Sequence, residues 1–140
     1  VNNADRFLLD THIWVRYING SRLLRPASIA VIEAARLKSG VFVSVLSIWE
    51  IAMLVKKGKL ALPLSVRAWT EQALRLDGVR LLPLTPESLI RAVEYSAELN
   101  ADPSDRILLA SAHTEELTFL TADKDILRFA SKHQILCLKA

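Results

Sequence analysis

"VFVSVLSIWEIAMLVKKG" (residues 41–58) is the stretch whose reading decides the fold. Its first part, VFVSVL (41–46), is β-branched and apolar on both faces, as a strand buried inside a sheet would be. From Ser47 the period changes. SIWEIAMLVKKG (47–58) has helical spacing and ends on Gly58. The apolar run 41–55 is too short to span a membrane and carries Glu50 near its middle, so a soluble protein is expected.

The same alternation runs outward in both directions. Upstream, RFLLD (6–10) reads as a short buried strand, THIWVRYING (11–20) as a helix with a glycine stop, and PASIAVIEAARLKSG (26–40) as a helix with Pro26 near its start and Gly40 after its end. Downstream, LSVRAWTEQALRLDG (64–78) reads as a helix and VRLLPL (79–84) as a strand. TPESLIRAVEYSAELN (85–100) is a helix opened by a Thr cap and a proline. A further helix runs from about Pro103 to Glu116. LTFLTAD (117–123) is a strand, KDILRFASKH (124–133) a short helix and QILCLKA (134–140) a last strand. Apolar strands alternate with helices and no hairpin dipeptide joins two strands. The expectation is a five-stranded, mainly parallel sheet with helices on both faces, in one domain over 1–140. Right-handed crossovers place the strand C-termini along one edge, and a ligand site belongs where the strand order reverses.

The totals agree with a packed domain. The 140 residues are 51% hydrophobic, with only 4 Gly and 5 Pro, which argues against disorder. The one cysteine, Cys137, excludes an internal disulfide and a cysteine-cluster zinc site, and its apolar setting marks a small core residue. A reducing cytoplasm is expected, and VNNADRF lacks the apolar region of a signal peptide.

Four acids stand out against this frame. Asp10 ends the first strand, Glu50 lies in the first turn after the second, and Asp123 ends LTFLTAD. Asp105 lies in the first turn of the helix that feeds that strand, in LNADPSDRILLASA (99–112). Each has a plain capping reading. Asp10 is placed to cap the helix from Thr11. Ser47 in SIWE is placed as a cap with Glu50 as its reciprocal partner. Asp123 is placed to cap the helix from Lys124, and Asp102 the helix from Pro103 with Asp105 reaching back. Capping alone demands no carboxylates here, because Ser, Thr and Asn cap equally well. It also leaves unexplained why the acids gather at one edge. Unit charges about 4 Å apart repel by about 4 kcal/mol at an effective dielectric of 20. Four such groups call for protonation or a cation. An all-oxygen set favours Mg2+, with Mn2+ as the alternative, over zinc. Mg2+ keeps waters, which suits polarising a phosphate and activating a water for in-line attack. Net charge is +3. Setting these four of the 15 acidic residues aside leaves 11 against 18 basic ones, a balance of +7 that can attract a phosphate backbone.

FLLDTHIWV, SVLSIWEIAMLVKKGKLALP, ADPSDRILLASA and LTFLTADKDI resemble, in that order, the motifs of PIN-domain ribonucleases, most closely the VapC-type toxins of bacterial toxin–antitoxin pairs. The order and spacing match along nearly the whole chain. The resemblance implies a three-layer α/β/α fold and an Mg2+-dependent endoribonuclease that leaves 5′-phosphate and 3′-hydroxyl ends. It matches Asp10, Glu50, Asp105 and Asp123 to the family's four acids. Asp10 and Asp105 would hold the metal, with Glu50 and Asp123 ligating directly or through water. It matches Thr121 to a hydroxyl beside the site and leaves Asp102 as a cap. It implies RNA as substrate, a cognate antitoxin whose C-terminal segment covers the groove, and a homodimer. Ser104 departs from the pattern, since an aromatic is common there, and the departure bears on packing more than on chemistry.

Several residues have weaker claims. His12, Lys56, Lys57, Lys59 and Arg106 are candidates for RNA contacts. Lys56 and Lys57 also complement a helix C-terminus that Gly58 ends. Trp14, Trp49 and Trp69 sit at helical spacing, as core or interface residues do. Asp125 is the alternative to Asp123. Two rival readings are a receiver-like phospho-acceptor domain and a non-cleaving PIN-like scaffold. A receiver pairs two early acids with a late strand-end lysine, whereas the acids here are dispersed over four segments. A scaffold's usual sign is a missing acid, and all four are present.

Overall fold

The computed structural model describes residues 5–140. Among them the chain forms β1 (Phe7–Leu9), α1 (Thr11–Ile18), α2 (Pro26–Arg36), β2 (Val41–Ser44), α3 (Val45–Lys56), α4 (Val66–Arg75), β3 (Val79–Leu82), α5 (Pro86–Tyr95), α6 (Pro103–Thr114), β4 (Thr118–Thr121), α7 (Lys124–Lys132) and β5 (Cys137–Lys139). The five strands form one sheet in the order β3-β2-β1-β4-β5. Every neighbouring pair is parallel. Helices cover both faces, which makes this the three-layer α/β/α fold expected from the strand–helix alternation.

The pleat explains the two layers. Alternate side chains leave opposite faces of each strand. Phe7, Leu9, Val41, Val43 and Leu120 face one way and pack with Ile13 and Trp14 of α1, Ile32 of α2, Ile51 of α3 and Trp69 of α4. Leu8, Phe42 and Phe119 face the other way and pack with Leu108, Leu109 and Ala112 of α6 and Ile126 and Phe129 of α7. Full burial of such a side chain contributes about 1.5–3 kcal/mol. In the first layer Trp14 and Trp69 meet edge to face at 5.0 Å. Strands β1 and β2 are buried along their whole length, while edge strands β3 and β5 are largely exposed. Cys137 is half-buried against the second layer, and burial pushes its thiol up to about 12.

Three local expectations are corrected. The second strand stops at Ser44, not at Leu46, because Ser44 itself caps α3 by accepting from the Leu46 amide at 3.0 Å. Ser47 is therefore inside the helix and is not its cap. Asp102 occupies the N-cap position of α6, but its carboxylate makes no capping bond, and Asp105 forms no reciprocal one. Pro103 fixes the first helical φ and lacks an N–H, so α6 starts without that help. Asp10 likewise stands at the N-cap position of α1 without a capping bond, whereas the readings at α5 and α7 hold. Thr85 and Ser88 form a reciprocal capping box at α5, and Asp123 Oδ1 accepts from the amides of Asp125 and Ile126 at α7. Among the described residues no helix is long and apolar enough to cross a membrane.

Candidate functional site

The strand order reverses between β1 and β4: the chain moves from β1 outward through β2 and β3, then returns to β4 on the other side of β1. A crevice at the strand C-termini forms at such a reversal. Asp10 immediately follows β1 and Thr121 ends β4. Register ties them, since Leu9 pairs with Leu120 and the Asp10 amide donates to the Leu120 carbonyl at 3.0 Å. Thr121 Oγ1 then donates to Asp10 Oδ2 at 2.6 Å and accepts from the Asp123 amide at 3.1 Å. Asp10 stands at the N-cap position of α1, yet its carboxylate makes no capping bond there. It is turned to Thr121 instead. Asp10 and Thr121 are both buried.

Glu50 comes from α3 and is half-buried. Ser47 and Glu50, three residues apart, lie on one helix face. That face meets Thr11 at the start of α1, whose Oγ1 donates to Glu50 Oε1 at 2.8 Å and lies 2.7 Å from Ser47 Oγ. Asp105 comes from the first turn of α6 and is also half-buried.

The electrostatics shows how these groups relate. Burial raises the Asp10 carboxyl above its usual range, the Thr121 bond and the His12 charge oppose the rise, and Asp123 adds to it. Burial likewise raises Glu50, with Asp10 adding to it, while Thr11, His12 and the Ser104 hydroxyl oppose it. Asp105 is pushed up to about 7, first by burial and then by the charges of Asp10, Glu50, Asp102 and Asp123. Four segments distant in sequence thus bring their carboxylates within electrostatic reach of one another. Asp125 is not among these charges. It is exposed and pairs with Arg128 at 3.1 Å.

The acids do not stand as a finished cage. Among the described residues no three Asp, Glu, His or Cys side chains are grouped to hold an ion as they are. The cause is visible in their partners: Asp10 is turned to Thr121, Glu50 to Thr11 and Asp123 to the α7 amides. The donor set still fits a hard divalent cation. It is all oxygen, and it is crowded enough to hold one carboxyl protonated near neutrality.

The remaining candidates separate clearly. His12 is exposed at the rim, close enough to favour the charged forms of Asp10 and Glu50. Lys56, the last residue of α3, and Lys57 and Lys59 beyond it are exposed and make no ion pair among the described residues. Arg106 donates Nη1 to the Ala101 carbonyl at 2.6 Å and pins the loop before α6. Trp14 and Trp69 belong to the core, whereas Trp49 is 56% exposed on α3 beside Glu50. Three residues with a part here were not read as such from sequence. In the sequence Thr11 and Ser47 read as helix-start residues, and Ser104 as a packing departure. The spacing of Ser47 and Glu50 on one helix face was the available signal. The strand order also separates this fold from the receiver type, whose doubly wound sheet runs 2-1-3-4-5.

The chain is 29% identical over 118 residues to Ribonuclease VapC22 of Mycobacterium tuberculosis, covering 84% of this chain and 86% of that protein. Its fold is similar to a chain in the crystal structure of VapBC2 from Rickettsia felis bound to a DNA fragment from their promoter. The TM-score is 0.72 at 16% identity, covering 96% of this chain and 98% of that one. It is also similar to a chain in DNA-bound VapBC from Salmonella typhimurium, with a TM-score of 0.68 at 17% identity over 96% and 97% of the two chains. The PIN domain family matches residues 7–132, from the first residue of β1 to the last of α7. With that match spanning the strand reversal and all four acids, the chain belongs to the PIN domain family.

Proposed function

We propose that this single PIN-like domain is an Mg2+-dependent endoribonuclease, the cytoplasmic toxin of a type II toxin–antitoxin pair. One observation carries the reading: at the strand reversal Thr121 joins the Asp10 carboxylate to the Asp123 amide, and Thr11, next to Asp10, holds the Glu50 carboxylate, while burial and then the charges of these acids push Asp105 up. Asp10 and Asp105 hold the ion, and Glu50 and Asp123 complete the set directly or through water. Mn2+ suits the same oxygen donors. A divalent cation bound there polarises a phosphate and acidifies a water. The chain's own residues do the rest. Thr121 fixes the orientation of Asp10. Asp123 lends its main chain to Thr121 and its carboxylate to α7. Exposed Lys56, Lys57 and Lys59 supply positive charge for the RNA backbone, with His12 as a further RNA contact and Arg106 at the loop before α6.

Two partners extend the reading. The antitoxin is supported by the likeness to chains from VapBC complexes. The homodimer is supported by α5, which turns Leu89, Ile90 and Val93 outward, 41%, 57% and 71% exposed. The basic side chain flanking this stripe, Arg91, is already paired with Glu87 at 3.0 Å.

The test is purified protein with total RNA, with and without EDTA, followed by mapping of the cut ends. Cleavage that EDTA stops, with 5′-phosphate and 3′-hydroxyl ends, is the expected outcome. Asp10→Asn is expected to abolish cleavage while circular dichroism stays native. A variant that cleaves at the parental rate sinks the assignment, and RNA binding without cleavage by the parent favours the scaffold reading.

A further inference from the structure

Thr11 follows Asp10 directly, opens α1 and is 1% exposed. Its Oγ1 stands 2.8 Å from Glu50 Oε1 and 2.7 Å from Ser47 Oγ, and Ser47 is fully buried. Counting protons fixes the direction of both bonds. An ionised carboxylate only accepts, so the Thr11 hydroxyl donates to Glu50. That hydroxyl has a single proton, which is then spent. Ser47 must supply the proton of the other contact. The chain runs one way, from Ser47 through Thr11 to Glu50, and each donor polarises the next.

We infer that Thr11, backed by Ser47, is a positioning residue for this reaction: it clamps one oxygen of the Glu50 carboxylate to the protein and leaves the other for the ion or its waters. The inference rests on the nuclease reading above and adds to it a residue that acts through Glu50.

Two observations set this apart from ordinary hydroxyl burial. A buried serine at the third position of a helix has a nearer partner in the N-cap carbonyl, and Ser88 of α5 takes it, donating to the Thr85 carbonyl at 2.9 Å. Ser47 bonds instead to a residue 36 positions away on another element. The second observation is covalent. Asp10 and Thr11 share a peptide bond, so the main chain that places the acid of β1 also places the hydroxyl that holds the acid of α3. Thr121 does the parallel job across the sheet, joining Asp10 Oδ2 to the Asp123 amide. Two buried threonines therefore tie three of the four acids into one frame, with Asp10 shared between them.

The experiment compares Thr11→Val, which keeps the shape and deletes the hydroxyl, with Thr11→Ser, which keeps the hydroxyl, and Ser47→Ala, which removes the far end of the chain. Asp10→Asn serves as the reference. Each protein is measured three ways: single-turnover cleavage of a 5′-labelled randomised RNA pool at saturating Mg2+, Mn2+ affinity without RNA by electron paramagnetic resonance, and thermal melting. Loss of such a supporting bond costs about 10–100-fold in affinity or activity. Thr11→Val is expected to lose about that much cleavage and about tenfold in Mn2+ affinity. Thr11→Ser is expected to stay within about threefold of the parent on both, and Ser47→Ala to fall between. Equal losses in Thr11→Val and Thr11→Ser overturn the inference, since the site then needs the shape of threonine and not its hydroxyl. It is also overturned if Thr11→Val binds Mn2+ and cleaves like the parent while Asp10→Asn does not cleave. If Thr11→Val does not fold, unchanged Mn2+ affinity in Ser47→Ala overturns it instead. Parental cleavage by Asp10→Asn brings down the nuclease reading itself and the inference with it.

Discussion

Of the four acids Asp105 is the one whose carboxylate has no hydrogen-bond partner among the described residues, while Asp10 and Glu50 have one each and Asp123 two. Its carboxyl sits at about 7 against an ordinary 3.8, from burial and then the neighbouring acids. The native protein therefore holds a proton between these values that the unfolded chain has lost. The stability tied to this group is complete below pH 3.8 and is lost as pH rises through about 7. Without divalent ions, Asp105→Asn is expected to be more stable than the parent at pH 8 and equal to it near pH 3.5. The full shift corresponds to about 4 kcal/mol. Solvent screening of a half-buried group reduces this to about 1–2 kcal/mol. Urea melts of both proteins in EDTA check it, and a difference that does not grow with pH would contradict the placement of Asp105 among the other acids. At this scale the acids were legible because Asp10 and Asp123 follow strand ends, while Glu50, expected in the first turn after β2, lies in the second turn of α3. Thr121, which orients Asp10, was legible through the family resemblance, whereas Thr11 and Ser47, which hold Glu50, were not. Ser-x-x-Glu matches a capping box equally well, and nothing local shows that Ser44 takes the cap and frees Ser47 to face Thr11.

Among the elements, α5 separates what periodicity reveals from what it hides. The spacing of Leu89, Ile90, Val93 and Ala92 reads as a helix, and a helix forms. The usual inference from such spacing is that the large apolar residues face the core. Here Ser88 and Ala92 face inward and Leu89, Ile90 and Val93 face out. Small residues on the buried face permit close approach to α6, and the large ones are left for another surface. Val93→Glu is expected to turn a dimer into a folded monomer, because it places a charge in the stripe without touching the core. Light scattering after size exclusion measures this. A dimer that survives the change, with melting unaltered, means that the copies join elsewhere. Strand ends were legible to within about three residues. The second strand was read too long because the apolar pattern continues past Ser44 into α3, and the last one starts at Cys137, three residues after Gln134.

For the whole molecule, the sheet order β3-β2-β1-β4-β5 makes the site, because it sets β1 and β4 side by side with their C-termini at the reversal. A cation bound there stabilises the folded state alone. At ten times its dissociation constant, Mg2+ adds about 1.4 kcal/mol to the stability of the parent, a rise of several degrees in melting temperature. Asp10→Asn is expected to lose most of that rise, and an equal rise in both proteins would place the ion elsewhere. The sequence by itself determined the element types, the parallel class of the sheet and the four acids with their place near strand ends. These are local properties: backbone period, side-chain polarity over a few residues and turn chemistry. Tertiary structure decided the strand order, the outward face of α5 and which hydroxyl holds which acid. Those depend on pairs such as Thr11 with Ser47, 36 positions apart, and Thr121 with Asp10, 111 apart. Such pairs form only when whole layers pack, and no short-range pattern encodes the contact.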